Sequence, residues 1–339
     1  MDRQPGRDAG WGQGVIAFIF PGQGAQYVGM GVDLARDYPS ARRVFEEASD
    51  AIALDLLALC RDGPDARLRE TENTQPALVA VSWAVAAALA EHGVRPHVAA
   101  GLSLGEYTAL VAADALTLAD AVRLVRLRGR FMQEAAEGLQ TAMAAVLGLS
   151  SEVVAETCRQ VPGLVEAANF NAPGQVVIAG KTAAVEAASE RLRAAGARRV
   201  IPLDVSAPFH TSLMRPAAER LARVLEGVAL RNARIPVITN VTAQPVSEPE
   251  EIRQRLVEQV ANPVRWEQSV RALRAMGTQI FVEAGPGTTL AGLIRRTVSG
   301  ATVVSVQDPG TLTVGLNAIG AAPAAHGVGA PGLAPRDRG

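Results

Sequence analysis

The sequence predicts an α/β fold whose core is a parallel sheet, with a second, smaller sheet unit inserted into it. Three observations predict this. Continuous apolar runs such as Val15-Ile-Ala-Phe-Ile-Phe20 read as strands buried on both faces, as parallel strands are. A second apolar run, His97 to Ala100, enters Gly101-Leu-Ser103-Leu-Gly105 and continues into a helix-like stretch from Tyr107 to Ala115. Strand, tight turn and helix form the context that gives G-x-S-x-G a meaning, a serine held out on a strained elbow. Between Gln140 and Ser206 the pattern changes to βαββαβ, the order of a ferredoxin-like unit. The expected fold is therefore an α/β-hydrolase-like parallel-sheet core with an inserted ferredoxin-like subdomain.

The elements follow in order. Residues 1–13 are polar and Gly-rich and read as a flexible leader. After the first strand comes Pro21-Gly-Gln-Gly-Ala-Gln26. This loop imitates a dinucleotide fingerprint, but the third glycine would have to be residue 27, which is Tyr27. The better reading is a turn whose N–H groups face a ligand. Helices are expected at Ser40–Ala53 and at Gln75–Leu89, the latter with Pro76 in the first helical position. A further helix starts at Thr117-Leu-Ala-Asp120 and runs through Met132.

In the insert, strands are expected at Met143–Leu147, Leu164–Asn169, Gln175–Ala179 and Arg199–Leu203, with helices at Ser151–Gln160 and Ala183–Ala195. Gly180-Lys181-Thr182 resembles the end of a P-loop, yet the required first glycine is Gln175, which rules the motif out. Beyond the insert, helices are expected at Ser212–Leu225, Pro249–Val260 and Val264–Ala275. Strands are expected at Ile235–Asn240, Gln279–Glu283 and Thr302–Val306, with one more helix after Ala284-Gly-Pro-Gly287. The domain plan is a core of 14–139 and 207–308, an insert of 140–206, and an Ala/Gly/Pro-rich tail, 309–339, expected to be disordered.

Composition narrows the function classes. A chain of 339 residues with 48% apolar and 20% charged residues can bury an ample core. Its net charge of −1 offers no long-range attraction to nucleic acid or to an anionic membrane. No apolar run reaches membrane-spanning length by eye, and no signal peptide is evident, so a cytoplasmic location is expected. Cys60 and Cys158 stand apart without histidine partners, which supports neither a disulfide framework nor a metal site.

A serine hydroxyl needs a base, and the chain has only four histidines. His326 lies in the expected tail and His92 ends a helix. His97 begins the strand that leads to the serine, roughly 20 Å away at about 3.3 Å per residue. His210, in Val205-Ser-Ala-Pro-Phe-His210, remains as the base, against the alternative of a structural contact. The group that orients it stays open: Asp204 is near in sequence, and a backbone carbonyl would also serve.

Arg128 is the other anomaly. On a helical wheel of about 100° per residue, Arg123, Arg126 and Arg130 share one face, while Arg128 falls among Ala121, Leu124, Val125 and Met132. A buried guanidinium must meet an anion, either an internal Asp or Glu or a substrate carboxylate. Ser103, His210 and Arg128 together suggest acyl transfer from a substrate with a free carboxylate.

At this point the chain resembles the malonyl-CoA:acyl carrier protein transacylase family, from about Ile16 to Val306. The resemblance is carried by Phe20-Pro-Gly-Gln-Gly-Ala-Gln26, Thr74-Gln-Pro-Ala-Leu78, Gly101-x-Ser103-Leu-Gly-Glu-Tyr107, Arg128-Gly-Arg-Phe-Met-Gln133, Asn169 to Gly180, Ala207-Pro-Phe-His210, Asn262-Pro-Val264 and Glu283-Ala-Gly-Pro-Gly287. It implies Ser103 as nucleophile and His210 as base, with the main-chain carbonyl of Gln259 orienting the histidine. It also implies Arg128 as the malonyl carboxylate ligand and the N–H groups of Gln23 and Leu104 as the oxyanion hole. Phe209 resembles the malonyl-selecting residue. The implied partners are malonyl-CoA and phosphopantetheinylated acyl carrier protein, with the CoA thioester as substrate and no bound cofactor or metal. Leu102 departs from the family's usual histidine. It resembles discrete acyltransferases of polyketide assembly lines and some acyl-carrier hydrolases. An editing thioester hydrolase and a catalytically silent docking subunit are the alternative functions.

Overall fold

A computed structural model describes residues 14–205 and 207–320; the leader, His326 and the end of the tail lie outside them. The larger sheet holds β1 (Val15–Phe20), β2 (Val98–Gly101), β7 (Val237–Ile238), β8 (Pro245–Val246), β9 (Thr278–Ala284) and β10 (Thr302–Val306). The smaller holds β3 (Thr141–Leu147), β4 (Val165–Ala172), β5 (Gln175–Lys181) and β6 (Arg199–Leu203). The larger sheet runs β10-β9-β1-β2-β7-β8, parallel except at the β7–β8 edge. The chain is thus a mixed α/β protein with a parallel-sheet core.

β1 lies at the centre because five of its six residues are buried, with helices covering both faces. Strand order reverses around it: β2 and β7 build outward on one side, β9 and β10 on the other. In open parallel sheets the crevice at such a reversal, beyond the strands' C-terminal ends, is where ligands bind.

The smaller sheet is antiparallel in the order β4-β5-β3-β6. The helices Ser151–Gln160 and Thr182–Ala194 cover one face through Val154, Cys158, Val185, Ala188 and Leu192. The strand period of two sends Ala144 and Val146 to that face, and Met143 and Ala145 to the other. That second face turns toward the cleft.

Several expectations are corrected. The helix expected from Gln75 begins at Thr71 and ends at Glu91, with Pro76 inside it. Its start moves because the N–H groups of Asn73 and Thr74 both bond to the Glu70 carbonyl. This 21-residue helix is, by length and apolarity, able to cross a membrane, contrary to the reading by eye. Here it is a core helix, with 83% of its most apolar window buried within the protein.

The strand expected over Ile235–Asn240 shortens to two residues. Thr239 turns its N–H to the Gln244 carbonyl, and Asn240 gives its own to the Glu106 side chain. The tail expected to be disordered from 309 opens with a helix, Pro309–Ile319. Asp308 caps it: its carboxylate accepts from Thr311 N at 2.8 Å, and the Thr311 hydroxyl accepts from Asp308 N at 3.0 Å. Leu312, Leu316 and Ile319 then bury themselves in the core.

Candidate active site

The elbow at Ser103 is built by its two glycines. A Cβ on Gly101 would lie 1.9 Å from the Gly105 carbonyl carbon, and one on Gly105 would lie 2.1 Å from the Phe20 carbonyl oxygen. Only hydrogen fits at either place, so β1, β2 and the Gly105–Ala112 helix can meet tightly. Ser103 itself sits at φ +52°, the left-handed region that a nucleophile elbow stores as strain. Asn240 holds the strained turn: its Oδ1 accepts from Ser103 N at 2.5 Å, and its Nδ2 donates to the Gly101 carbonyl at 2.7 Å.

Ser103 Oγ lies 2.7 Å from His210 Nε2. On the far side of the ring, Nδ1 lies 2.9 Å from the Gln259 carbonyl oxygen. A carbonyl can only accept, so Nδ1 carries the proton of the neutral ring and Nε2 is left free to take one from serine. Burial pushes the His210 pKa down to about 4, the nearby Arg128 charge acts in the same direction, and the Gln259 carbonyl partly opposes both. The ring is therefore neutral, and a competent base, at neutral pH. His210 also holds a positive φ, +62°, and the following loop is clamped by Glu166 of β4, which accepts from Ser212 N and Oγ at 2.8 and 2.7 Å.

Arg128 lies in the Leu118–Ala136 helix and is 3% exposed. Gly129 brings that helix against the Thr71–Glu91 helix, since a Cβ there would sit 2.7 Å from the Thr71 carbonyl oxygen. The approach puts Gln75 Oε1 2.9 Å from Arg128 Nη1. Arg128 Nη2 donates to Gln259 Oε1 and to Ser103 Oγ, each at 3.0 Å. Its guanidinium also stands over the Tyr107 ring, 5.6 Å from the centroid, and its buried Nε–H finds no hydrogen-bond acceptor among the described residues. Among the described residues no Asp or Glu accepts from it, and the partners that do are neutral. The acid whose charge acts on it, Glu106, is buried, its pKa raised by desolvation to about 7 and pulled back by Gln259, Asn240 and Arg128.

The remaining candidates line the same cleft of about 640 Å³. The Pro21–Gln26 loop, Gln23 included, and Leu104 line it. A Cβ on Gly22 would meet the Leu102 carbonyl oxygen at 2.6 Å, a closeness that brings this loop against the residue before Ser103. Phe209 is half-buried between the main core and the Met143–Val177 face of the smaller sheet. Leu102 packs on the second core cluster and lines the cleft with Leu290 and Leu293. His97 sits at the opposite end of β2, accepting from Ile16 N at 3.1 Å. Asp204 is exposed at the cleft rim and makes no hydrogen bond to His210.

The acyl transferase domain family matches residues 17–314. The chain belongs to the acyl transferase domain family. Malonyl CoA-acyl carrier protein transacylase of Bacillus subtilis (strain 168) is 44% identical over 307 residues, spanning 90% of this chain and 97% of the relative. The enzyme of that name from Escherichia coli (strain K12) is 44% identical over 304 residues, covering 89% and 98%. An acyl carrier protein S-malonyltransferase from Vibrio cholerae has a similar structure, with a TM-score of 0.85 at 43% identity over 88% of this chain and 99% of its own. A malonyl-transacylase in complex with a type II polyketide synthase acyl-carrier protein aligns with a TM-score of 0.87, 44% identity and coverage of 89% and 99%. Within this acyl transferase, sequence reasoning missed Asn240, and it gave no role to the side chains of Glu106, Gln75 and Gln259. Glu106 and Gln75 stand inside stretches that drew attention; Asn240 carries no local signal.

Proposed function

We propose that the protein transfers a malonyl group from malonyl-CoA, through Ser103, to the phosphopantetheine thiol of acyl carrier protein. One observation carries the proposal: a buried guanidinium lies 3.0 Å from the same serine oxygen that lies 2.7 Å from a neutral imidazole. The imidazole activates the oxygen, and the guanidinium selects an acyl group that bears a carboxylate about two carbons from the thioester. Relatives that span the chain nearly end to end are named for this reaction.

In the first half, Ser103 Oγ attacks the thioester carbon as His210 Nε2 takes the hydroxyl proton. The N–H groups of Gln23 and Leu104, neither taken by a protein acceptor among the described residues, stabilise the tetrahedral oxyanion. Each such donor is worth roughly 3–4 kcal/mol of barrier in acyl transfer. The C–S bond breaks, and His210 Nε2 returns its proton to the CoA sulfur. In the second half the carrier thiol gives its proton to His210 Nε2 and attacks malonyl-Ser103, and Ser103 Oγ leaves with that proton. Arg128 holds the malonyl carboxylate through both halves. Phe209 narrows the space beside the α-carbon and favours malonyl over α-substituted units. Base, nucleophile and carboxylate ligand are all side chains, so the reaction needs no bound cofactor. Its CoA thioester substrate fits a cytoplasmic setting.

The same reading divides the chain into an α/β-hydrolase-like core, 14–139 and 207–308, and a ferredoxin-like unit, 140–206. The strand order β4-β5-β3-β6, with two helices on one face, supports the second label.

Intact-mass measurement after incubation with malonyl-CoA tests the function. A malonyl adduct is expected on the protein, absent in Ser103→Ala, and it should move to holo-carrier protein when that is added. Free malonate in place of malonyl-carrier would make the enzyme a hydrolase, and no adduct at all would make it a docking subunit.

A further inference from the structure

Two acids are fully buried near the sheet's C-terminal ends. Glu283 is accounted for, since its carboxylate accepts from the N–H groups of Leu290 and Ala291 and from the Ser305 hydroxyl, and so starts the Thr289–Thr297 helix. Glu106 starts nothing. It lies one turn beyond the nucleophile, 1% exposed, and has no salt bridge among the described residues. Its Oε2 accepts from Gln259 Nε2 at 3.0 Å and from Asn240 N at 2.8 Å.

We propose that Glu106 is a positioning residue for substrate selection, which locks the Gln259 amide in the orientation that presents its oxygen to Arg128. The proposal rests on the malonyl-transfer reading above. An amide has one donating and one accepting end, and its flip reverses them. In the observed orientation, Nε2 donates to Glu106 Oε2 and to the Ser103 carbonyl, both at 3.0 Å, and Oε1 accepts from Arg128 Nη2 at 3.0 Å. Flipped, the NH₂ would face a guanidinium, which has no acceptor, and Oε1 would face two groups that only accept. The Ser103 carbonyl supplies a neutral preference. Glu106 Oε2 adds a second acceptor, held in that role because it also accepts from Asn240 N. All three side chains are buried, so a donor or acceptor left without its partner is costly.

Gln259 therefore has two separable tasks. Its main-chain carbonyl holds His210, and its side chain holds Arg128. Glu106 reaches the side chain alone, so its loss should show as weaker discrimination between acyl groups more than as a weaker base. The arm to Asn240 N steadies the same loop from the other side.

The test compares kcat/KM for malonyl-CoA and acetyl-CoA, with holo-carrier protein as acceptor, in the full chain. Glu106→Asp keeps the charge but withdraws the acceptor by one methylene. It should lower the malonyl-to-acetyl ratio about tenfold, mainly through a higher KM for malonyl-CoA. Glu106→Gln keeps an acceptor oxygen in place and should hold the ratio within about threefold. Gln259→Met, which keeps the main-chain carbonyl, should lower the ratio as Glu106→Asp does, with no further loss in the double variant. An unchanged ratio in Glu106→Asp, or Gln at 106 losing as much as Asp, overturns the proposal. Parallel loss with both substrates also overturns it, leaving a structural role. Wild-type protein that shows no malonyl preference would instead sink the functional reading itself.

Discussion

Replacing Arg128 by alanine isolates the carboxylate-binding half of the site. A guanidinium that is 3% exposed, and held by Gln75 and Gln259 through different nitrogens, is pre-set to meet a carboxylate in the cleft. Two charge-assisted hydrogen bonds in such a place contribute about 1.5–3 kcal/mol each. Their joint loss of about 3–6 kcal/mol corresponds to roughly 10²- to 10⁴-fold in kcat/KM for malonyl-CoA, at about 1.4 kcal/mol per factor of ten. Acetyl-CoA has no carboxylate to lose, so its rate should not fall by that factor, and the preference should collapse. The change also strands the Gln75 and Gln259 amide oxygens at a cost of about 1–3 kcal/mol each, so rates belong well below the variant's own melting temperature. The assay is initial-rate transfer from each CoA ester to holo-carrier protein. A malonyl-to-acetyl ratio that stays within threefold of wild type would refute the assignment and make Arg128 a structural cation.

Three further outcomes are expected. The acid limb of kcat/KM should have its midpoint near pH 4, because burial holds His210 at about 4 and the ring stays neutral above it; a limb near 6.5 would mean a solvated base. In stability, His210 and Glu106 act oppositely. With its folded pKa near 4 against 6.5 unfolded, His210 contributes stability that is lost as pH falls through that window. With its folded pKa near 7 against 4.5, Glu106 contributes stability that is present at low pH and lost as pH rises toward 7. Removing that second contribution, Glu106→Gln should lose stability relative to wild type on going from pH 7 to 4.5, by about 3 kcal/mol at 1.36 kcal/mol per pKa unit. Parallel melting curves across that range would show that Glu106 does not titrate so high. Finally, Gly101→Ala forces a Cβ to 1.9 Å from the Gly105 carbonyl carbon, so thermal unfolding should report a loss of about 2 kcal/mol or more. An unchanged melting temperature would mean the elbow opens freely.

Much of the fold was legible because apolar periodicity and chain punctuation are local. Thr117 caps its helix as the sequence implied, accepting from Asp120 N, and the Ser151–Gln160 helix and β6 start and stop where expected. The βαββαβ order of 140–206 followed from the alternation of periods two and 3.6. The misses came where a distant partner decides. Asn240 left its strand because its N–H found Glu106, 134 residues away in sequence. Pro76 was drawn into a helix whose first turn is fixed by polar side chains in the core. The cap at Asp308 is a local signal too, and the Leu/Thr-rich helix it starts precedes the Ala/Gly-rich stretch that begins at Gly320.

The site divides in the same way. The residue types that chemistry requires were readable from the sequence: a serine between two glycines, one histidine left after elimination, and an arginine on the apolar face of its helix. These are properties of single residues and their near neighbours. What holds those groups is not. The Gln259 carbonyl on His210, the Gln75 and Gln259 amides on Arg128, and Asn240 on the Ser103 turn each span from 49 to 137 residues. Hydrogen bonds are satisfied by whatever lies within 3 Å, and chain separation says nothing about that distance until the sheet has set its strands side by side. The sequence determined which groups could react; the tertiary structure decided how they are aimed.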